Sequence, residues 1–470
     1  MRAEPQAAPY GPDPQIARLA PWLADAVEPA RFPQHDLRFR NRRWDRAVGL
    51  GDLSDEAWTG HFGRFEPLPG NLPHPLALRY HGHQFRVYNP ELGDGRGFTF
   101  AQLRDGPKEQ GGRLLDLGTK GSGLTPYSRT ADGRLTLKGA VREVLATEML
   151  EALGVYTSKT FSVIETGEAL ERGDEPSPTR SAVLVRLSHS HIRIGTFQRL
   201  AALEDDSHLA ELVDYCLAQF PGPPPPADAP GRDEPAVILL HQAAERLADL
   251  AASYMVAGFV HGVLNTDNIN VTGESFDYGP WRWLPRWDPA FTAAYFDHGG
   301  LYAFGRQPEA IHWNLAQLAI ALRRLVEAPA LVAAIERFAP LYHAAMGLRF
   351  TWRLGVASRG SEADTRLIEA AERAMREGEL GPDAFFFAHR GGRAANGALA
   401  EALAGYEPLA SEHPYWSGVA PQTMLIDEVE AIWSAIAEGD DWQPFDAKVS
   451  AVRAMGAALG EPPLPAGHAR

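Results

Sequence analysis

The chain has 470 residues, 45% hydrophobic and 22% charged, so it can bury a sizeable core and is long enough for two or more folding units. A formal charge of −15 argues against a nucleic-acid binder held mainly by phosphate neutralisation. One cysteine, Cys216, excludes an intramolecular disulfide and a Cys-rich metal site.

The start, MRAEPQAAPYGPDPQ, has no apolar segment behind a basic flank. The longest uncharged apolar stretch, Leu250 to Val260, falls well short of the roughly 20 residues that span a bilayer. The expectation is a cytoplasmic protein with neither a membrane nor a nucleic acid as partner.

Residues 1–74 are rich in Pro, Arg and Trp with weak periodicity, and are expected to form an N-terminal extension packed on the core. From 75 to 200 short strands alternate with glycine loops around one helix, Lys138 to Leu153. That helix carries Val141, Val144, Leu145, Met149 and Leu153 as an apolar stripe, with Arg142, Glu143 and Glu148 opposite and Gly154 as its stop. An amphipathic stretch at 203–220 leads to a Pro-rich break, Pro221 to Pro230, expected as an exposed insertion near the start of a mainly helical part, 201–470. Within it a long helix from Pro235 to Phe259 feeds a polar loop, and beyond Trp313 helical patterns dominate. The expected class is α+β: a strand-rich lobe with one key helix, then a helical lobe, as in protein kinases.

The polar loop strengthens that expectation. Protein kinases read H-R-D-x-x-x-x-N and then D-F-G, with the first Asp as base and the Asn and second Asp on Mg²⁺. Here His261 sets the count, Asn268 falls in register, and Asp277-Tyr278-Gly279 follows, but the base position is Val263. Asp267, beside the metal-type Asn268, can take the proton in its place. Upstream, Lys120 precedes Glu143 by about twenty residues, the order in which a strand lysine grips phosphates and a helix glutamate holds the lysine. Gly93-Asp94-Gly95-Arg96-Gly97 would let backbone amides approach phosphates. Arg186 and Arg193 read from spacing alone as surface cations, and His189, His191 and His261 are too irregularly spaced for a zinc set.

At YHGHQF (80–85), GDGRG (93–97), LGTKGSGLTPYSR (117–129), DGR (132–134), VRE (141–143), VRLSHSHIRIGTF (185–197), HGVLNTDN (261–268), DYGP (277–280) and QPEAIHWNLAQLA (307–319), the chain resembles the selenoprotein O family of pseudokinase protein adenylyltransferases. The resemblance implies ATP bound flipped relative to kinases, so that AMP goes to Ser, Thr or Tyr hydroxyls of proteins, including this one, and pyrophosphate leaves. It assigns nucleotide contacts to Gly93, Gly95, Arg96, Lys120, Asp132, Gly133, Arg186, Arg193 and Asp277. It makes Asp267 the proton acceptor, Glu143 the partner of Lys120, and Asn268 and Asp277 the ligands of Mg²⁺ or Mn²⁺.

The chain departs from the family in having no cysteine or selenocysteine near its PLPAGHAR end, and APQTMLIDE (420–428) stands where a basic segment is usual. Two other readings stay open: a phosphotransferase with Asp267 as a relocated base, and an inactive ATP-binding scaffold.

Overall fold

The structure, a computed structural model, describes residues 5–173, 175–409 and 412–463. The last seven residues of the PLPAGHAR end lie outside the described residues. The strands of the first half, in chain order, are β1 (Ala24–Ala26), β2 (Asp36–Arg40), β3 (Leu76–Leu78), β4 (Gly82–Gln84), β5 (Val87–Asn89), β6 (Thr99–Arg104), β7 (Leu114–Lys120), β8 (Leu135–Thr136), β9 (Lys159–Leu170) and β10 (Thr179–Ser188). All except the β4/β5 hairpin join one antiparallel sheet in the order β1-β3-β6-β7-β10-β9-β2, with β8 on β10. Helices dominate the rest of the chain, so the protein is mixed α/β with an antiparallel sheet and a helical region.

Both faces of this sheet are buried, which explains why Ala182 to Val185 reads as a continuous apolar run instead of alternating. Ala182 and Leu184 enter a cluster with Val141, Val144 and Leu145 of the Leu137–Ala152 helix. Val183 and Val185 enter another, with Trp58, Phe62 and Phe65. The N-terminal segment therefore supplies two strands of the sheet and the apolar cover of its second face. Its periodicity is weak in sequence because β1 and β2 are only three and five residues long, too short for a pattern to repeat.

The helix expected at Lys138–Leu153 spans Leu137–Ala152; Thr136 caps it by accepting from the Gly139 amide, and Gly154 follows at φ +78°. Its polar face is not solvated. Glu143 and Glu148 are both buried, and Glu148 accepts from Arg453 of the Gln443–Leu459 helix at 2.6 Å. A Cβ on Gly456 of that C-terminal helix would lie 3.0 Å from the Ala152 Cα, so the two backbones are in close contact. The helix between the two segments that depart from the family thus braces the Glu143 helix.

The Pro221–Pro230 stretch has no helix or strand, and the helix after it runs Pro235–Ala257. Among the described residues no helix is long and apolar enough to cross a membrane. Asp249 on the Pro235–Ala257 helix accepts both Nε (2.5 Å) and Nη2 (2.6 Å) of Arg349, whose Nη1 donates to the Gly154 carbonyl at 2.8 Å. All of this is buried, so removing one partner strands a charge. Asp249→Ala is expected to cost about 3–5 kcal/mol, read as a lower midpoint in urea unfolding.

Candidate active site

Close backbone approach explains the glycine loop between β5 and β6. A Cβ on Gly97 would sit 1.9 Å from the Thr119 carbonyl oxygen, and one on Gly93 would be 2.2 Å from the Tyr127 ring. The loop lies flat against the end of β7 because nothing larger than hydrogen fits there. Lys120 is the last residue of β7, and its buried ammonium pairs with Glu143. Strand register brings Arg186 of β10 opposite Gly118.

Three cations converge on Asp277. Its Oδ1 accepts from Arg186 Nη1 at 2.6 Å and is 3.7 Å from Lys120 Nζ, while Oδ2 is 3.5 Å from Arg193 Nη1. Burial pushes the Asp277 carboxyl up, but Arg186, Lys120 and Arg193 outweigh it and hold it well below the usual carboxylate range. Arg186 and Arg193 are buried, not surface cations as their spacing suggested, because the counter-charge that solvates them lies more than 80 residues away in sequence. Arg193 also donates to Tyr80 Oη at 2.8 Å and pairs with Asp94 at 3.1 Å. Arg186 Nε donates to His191 Nε2 at 3.1 Å, which leaves the ring's Nδ1–H facing Asp116 at 3.2 Å.

Asp267 sits in the opposite electrostatic state. It is buried, its Oδ1 has no hydrogen-bond partner, and burial pushes its carboxyl up from 3.8 to about 6. The surrounding loop is held from two sides. From the helix Gln307–Leu322, Gln307 accepts from the His261 amide at 2.9 Å, and Asn314 donates to the Leu264 carbonyl at 2.8 Å. From the β4/β5 hairpin, the His83 amide donates to Thr266 Oγ1 at 2.6 Å and the Phe85 amide to Asn265 Oδ1 at 3.0 Å. These contacts give YHGHQF and QPEAIHWNLAQLA a common job, fixing where Asp267 stands.

These groups surround one cleft of about 430 Å³, lined by Gly93, Gly95, Arg96, Lys120, Arg186, Arg193, Asp267, Asn268 and Asp277, with Val263 beside them. That volume lies within the range of small-molecule sites. Glu143 stands behind Lys120. Asp132 and Gly133 are not in the lining; Asp132 pairs with Arg172 at 2.8 Å, although the adjacent Ala131 does face the cleft.

A family profile described as "Protein adenylyltransferase SelO" matches residues 10–397. The chain belongs to that family. Among its relatives, a protein nucleotidyltransferase YdiU of Gloeobacter violaceus is 43% identical over 462 residues, covering 92% of this chain and 93% of the relative. Proteins of the same name from Synechocystis (40% identical, 92% and 96% covered) and Synechococcus elongatus (46% identical, 80% and 75% covered) are also similar. The expectation of a protein adenylyltransferase of the SelO family is therefore borne out at family level.

Tyr80, Gln84, Asp94 and Tyr127 line the cleft without having been given a role from the sequence, and so does His191, which the sequence raised only as a zinc ligand. Asp94 was visible inside GDGRG and Tyr80 and Gln84 inside YHGHQF, but only as neighbours of the glycines. Nothing in the sequence marks Asp25 of β1, which accepts from the Tyr127 hydroxyl and from Arg79 Nε (2.9 Å).

The donor set suits a hard cation. Asn268 Nδ2 donates to the Val263 carbonyl at 3.0 Å, which leaves its carbonyl oxygen available to a cation, and the surrounding cations hold the Asp277 carboxyl well below the usual range. Among the described residues no three His, Cys, Asp or Glu side chains cluster as a complete metal set, so phosphate oxygens would have to complete the shell.

The raised Asp267 carboxyl has a consequence for stability. The folded protein binds a proton there that the unfolded chain releases, so stability falls as pH rises from about 4 and the cost is complete above about 6. In metal-free, nucleotide-free protein, Asp267→Asn is expected to be more stable than wild type by about 1–3 kcal/mol at pH 8 and equal to it near pH 4, measured by chemical unfolding at both pH values.

Proposed function

We propose that this protein transfers AMP from ATP to Ser, Thr or Tyr hydroxyls of proteins, itself included, as a cytoplasmic enzyme. The frame would be a two-lobed, protein-kinase-like one: a strand-rich lobe over 75–200 with residues 1–74 packed on it, and a helical lobe over 201–470. The observation that carries this reading is the pairing of opposite electrostatics in one cleft. Three buried cations ring Asp277, and beside them a proton-accepting carboxyl at Asp267 lies near Val263, where a kinase would have its base.

In this reading ATP lies with its outer phosphates on Arg186, Arg193 and Lys120, and Gly93, Gly95 and Arg96 contact the nucleotide. For Asp132 and Gly133 the support is family likeness alone. Phosphate oxygens offer the three cations new partners, and Asp277 and Asn268 would be the residues that hold Mg²⁺ or Mn²⁺. The metal, when bound, supplies neutralisation of the phosphoryl oxygens. Asp267 accepts the proton of the incoming hydroxyl as its oxygen bonds to the α-phosphorus. The bond from that phosphorus to the bridging oxygen breaks, and pyrophosphate leaves with its growing charge on the arginines.

Incubation of the full chain with Mg²⁺ and ATP labelled on either the α- or the γ-phosphate, followed by mass spectrometry, tests this directly. Label from α with an added AMP is expected; label from γ with an added phosphate would make the protein a kinase with a relocated base, and binding without label would favour a scaffold. Asp277→Ala should abolish transfer, and Asp267→Asn should lower turnover by about 10²–10⁴-fold with ATP affinity within a few-fold of wild type. Val263→Asp should not produce γ-phosphate transfer, because nucleotide orientation decides the product; efficient phosphorylation by that variant would contradict the flipped placement.

A further inference from the structure

A second cavity lies at the other end of β7, roughly 20 Å along the strand from Lys120. It measures about 130 Å³, below the range of drug-sized ligands, and its lining includes Arg104, Lys108, Arg113, Tyr156, His189 and Arg246. Two of its cations are already neutralised: Arg104 by Asp13 at 2.6 Å and Arg113 by Asp105 at 2.7 Å. His189 and the Tyr156 hydroxyl share a 2.6 Å hydrogen bond.

Arg246 is different. It is 6% exposed, its Nη2 donates to the Phe220 and Pro221 carbonyls at 2.7 and 3.0 Å, and its Nη1 is buried with no partner. Among the described residues no carboxylate lies within 4.0 Å of it, and none pairs with the exposed Lys108. A buried guanidinium with an unused donor is costly unless something accepts from it. The buried Glu274 accepts from the His189 amide at 2.9 Å, and burial pushes its carboxyl up, which favours its neutral form and weakens its repulsion of an anion.

We propose that this cavity binds a small phosphate-type oxyanion, gripped by Arg246 Nη1 and Lys108. The anion would tie the ends of β6 and β7, through Arg104 and Arg113, to the Pro235–Ala257 helix that carries Arg246. Free phosphate and the phosphoryl group of a larger molecule share this chemistry. The proposal stands on the cavity and its cations and does not depend on adenylyl transfer.

The test uses the full chain with its main cleft saturated by Mg²⁺ and a non-hydrolysable ATP analogue, so that phosphate cannot report from there. Inorganic phosphate is titrated at constant ionic strength and binding is read as a rise in melting temperature. Wild type should show a saturable rise, and Lys108→Glu and Arg246→Gln should each weaken it at least tenfold. Arg246→Gln also loosens the turn at Phe220, so the exposed Lys108→Glu variant decides if Arg246→Gln fails to fold. Competition by AMP would assign the site to phosphomonoesters, and its failure to compete would assign it to the free anion. No saturable rise in wild type, or equal affinity in Lys108→Glu, would overturn the proposal.

Discussion

Asp277 is the charge on which separate parts of the chain close. Lys120 from β7, Arg186 from β10 and Arg193 from the segment after β10 bring three positive charges into a buried space, and Asp277, the carboxylate that reaches all three, offsets their repulsion. Asp277 itself stands at φ +60°, a left-handed conformation that Asp tolerates better than most side chains. Buried ion clusters of this kind are poor sources of net stability, since desolvation consumes much of the attraction, so a functional reason for keeping one is the economical explanation. In the reading proposed here, the polyphosphate of ATP is that reason.

Much of the remaining structure serves to hold this cluster. Glu143 keeps Lys120 in place, the Leu137–Ala152 helix keeps Glu143 in place, and Arg453 reaches that helix from near the C-terminus through Glu148. On the other side, Gln307, Asn314 and the β4/β5 hairpin grip the loop, which fixes Asp267 and leaves its Oδ1 without a partner. The N-terminal segment joins in from outside: Trp58 and Phe62 cover the sheet, and Asp25 anchors the tyrosine that lies over Gly93.

Local signals were the ones the sequence carried well. The Leu137–Ala152 helix was legible within a residue at each end because a 3.6-period stripe and a following glycine mark it, and Asp267, Asn268 and Asp277 were legible as cleft residues because they lie close together in sequence at kinase-like spacing. Lost from the sequence was whatever depends on a distant partner. Spacing alone makes Arg186 and Arg193 surface cations, and only the family resemblance gives them a nucleotide; nothing near Glu148 in sequence announces Arg453, and Arg246 is indistinguishable in sequence from any helix-surface arginine. The strands of residues 24–26 and 36–40 were hidden for another reason: they are short edge strands whose register is set by their neighbours, not by their own pattern.

The account turns on which phosphate of ATP lies beside Asp267. A crystal structure of the protein with Mg²⁺ and a non-hydrolysable ATP analogue would measure it. The prediction is the α-phosphorus as the phosphate nearest Asp267, with the β- and γ-phosphates on Arg186 and Arg193. A γ-phosphate nearest Asp267, with the arginines still on Asp277, would contradict it.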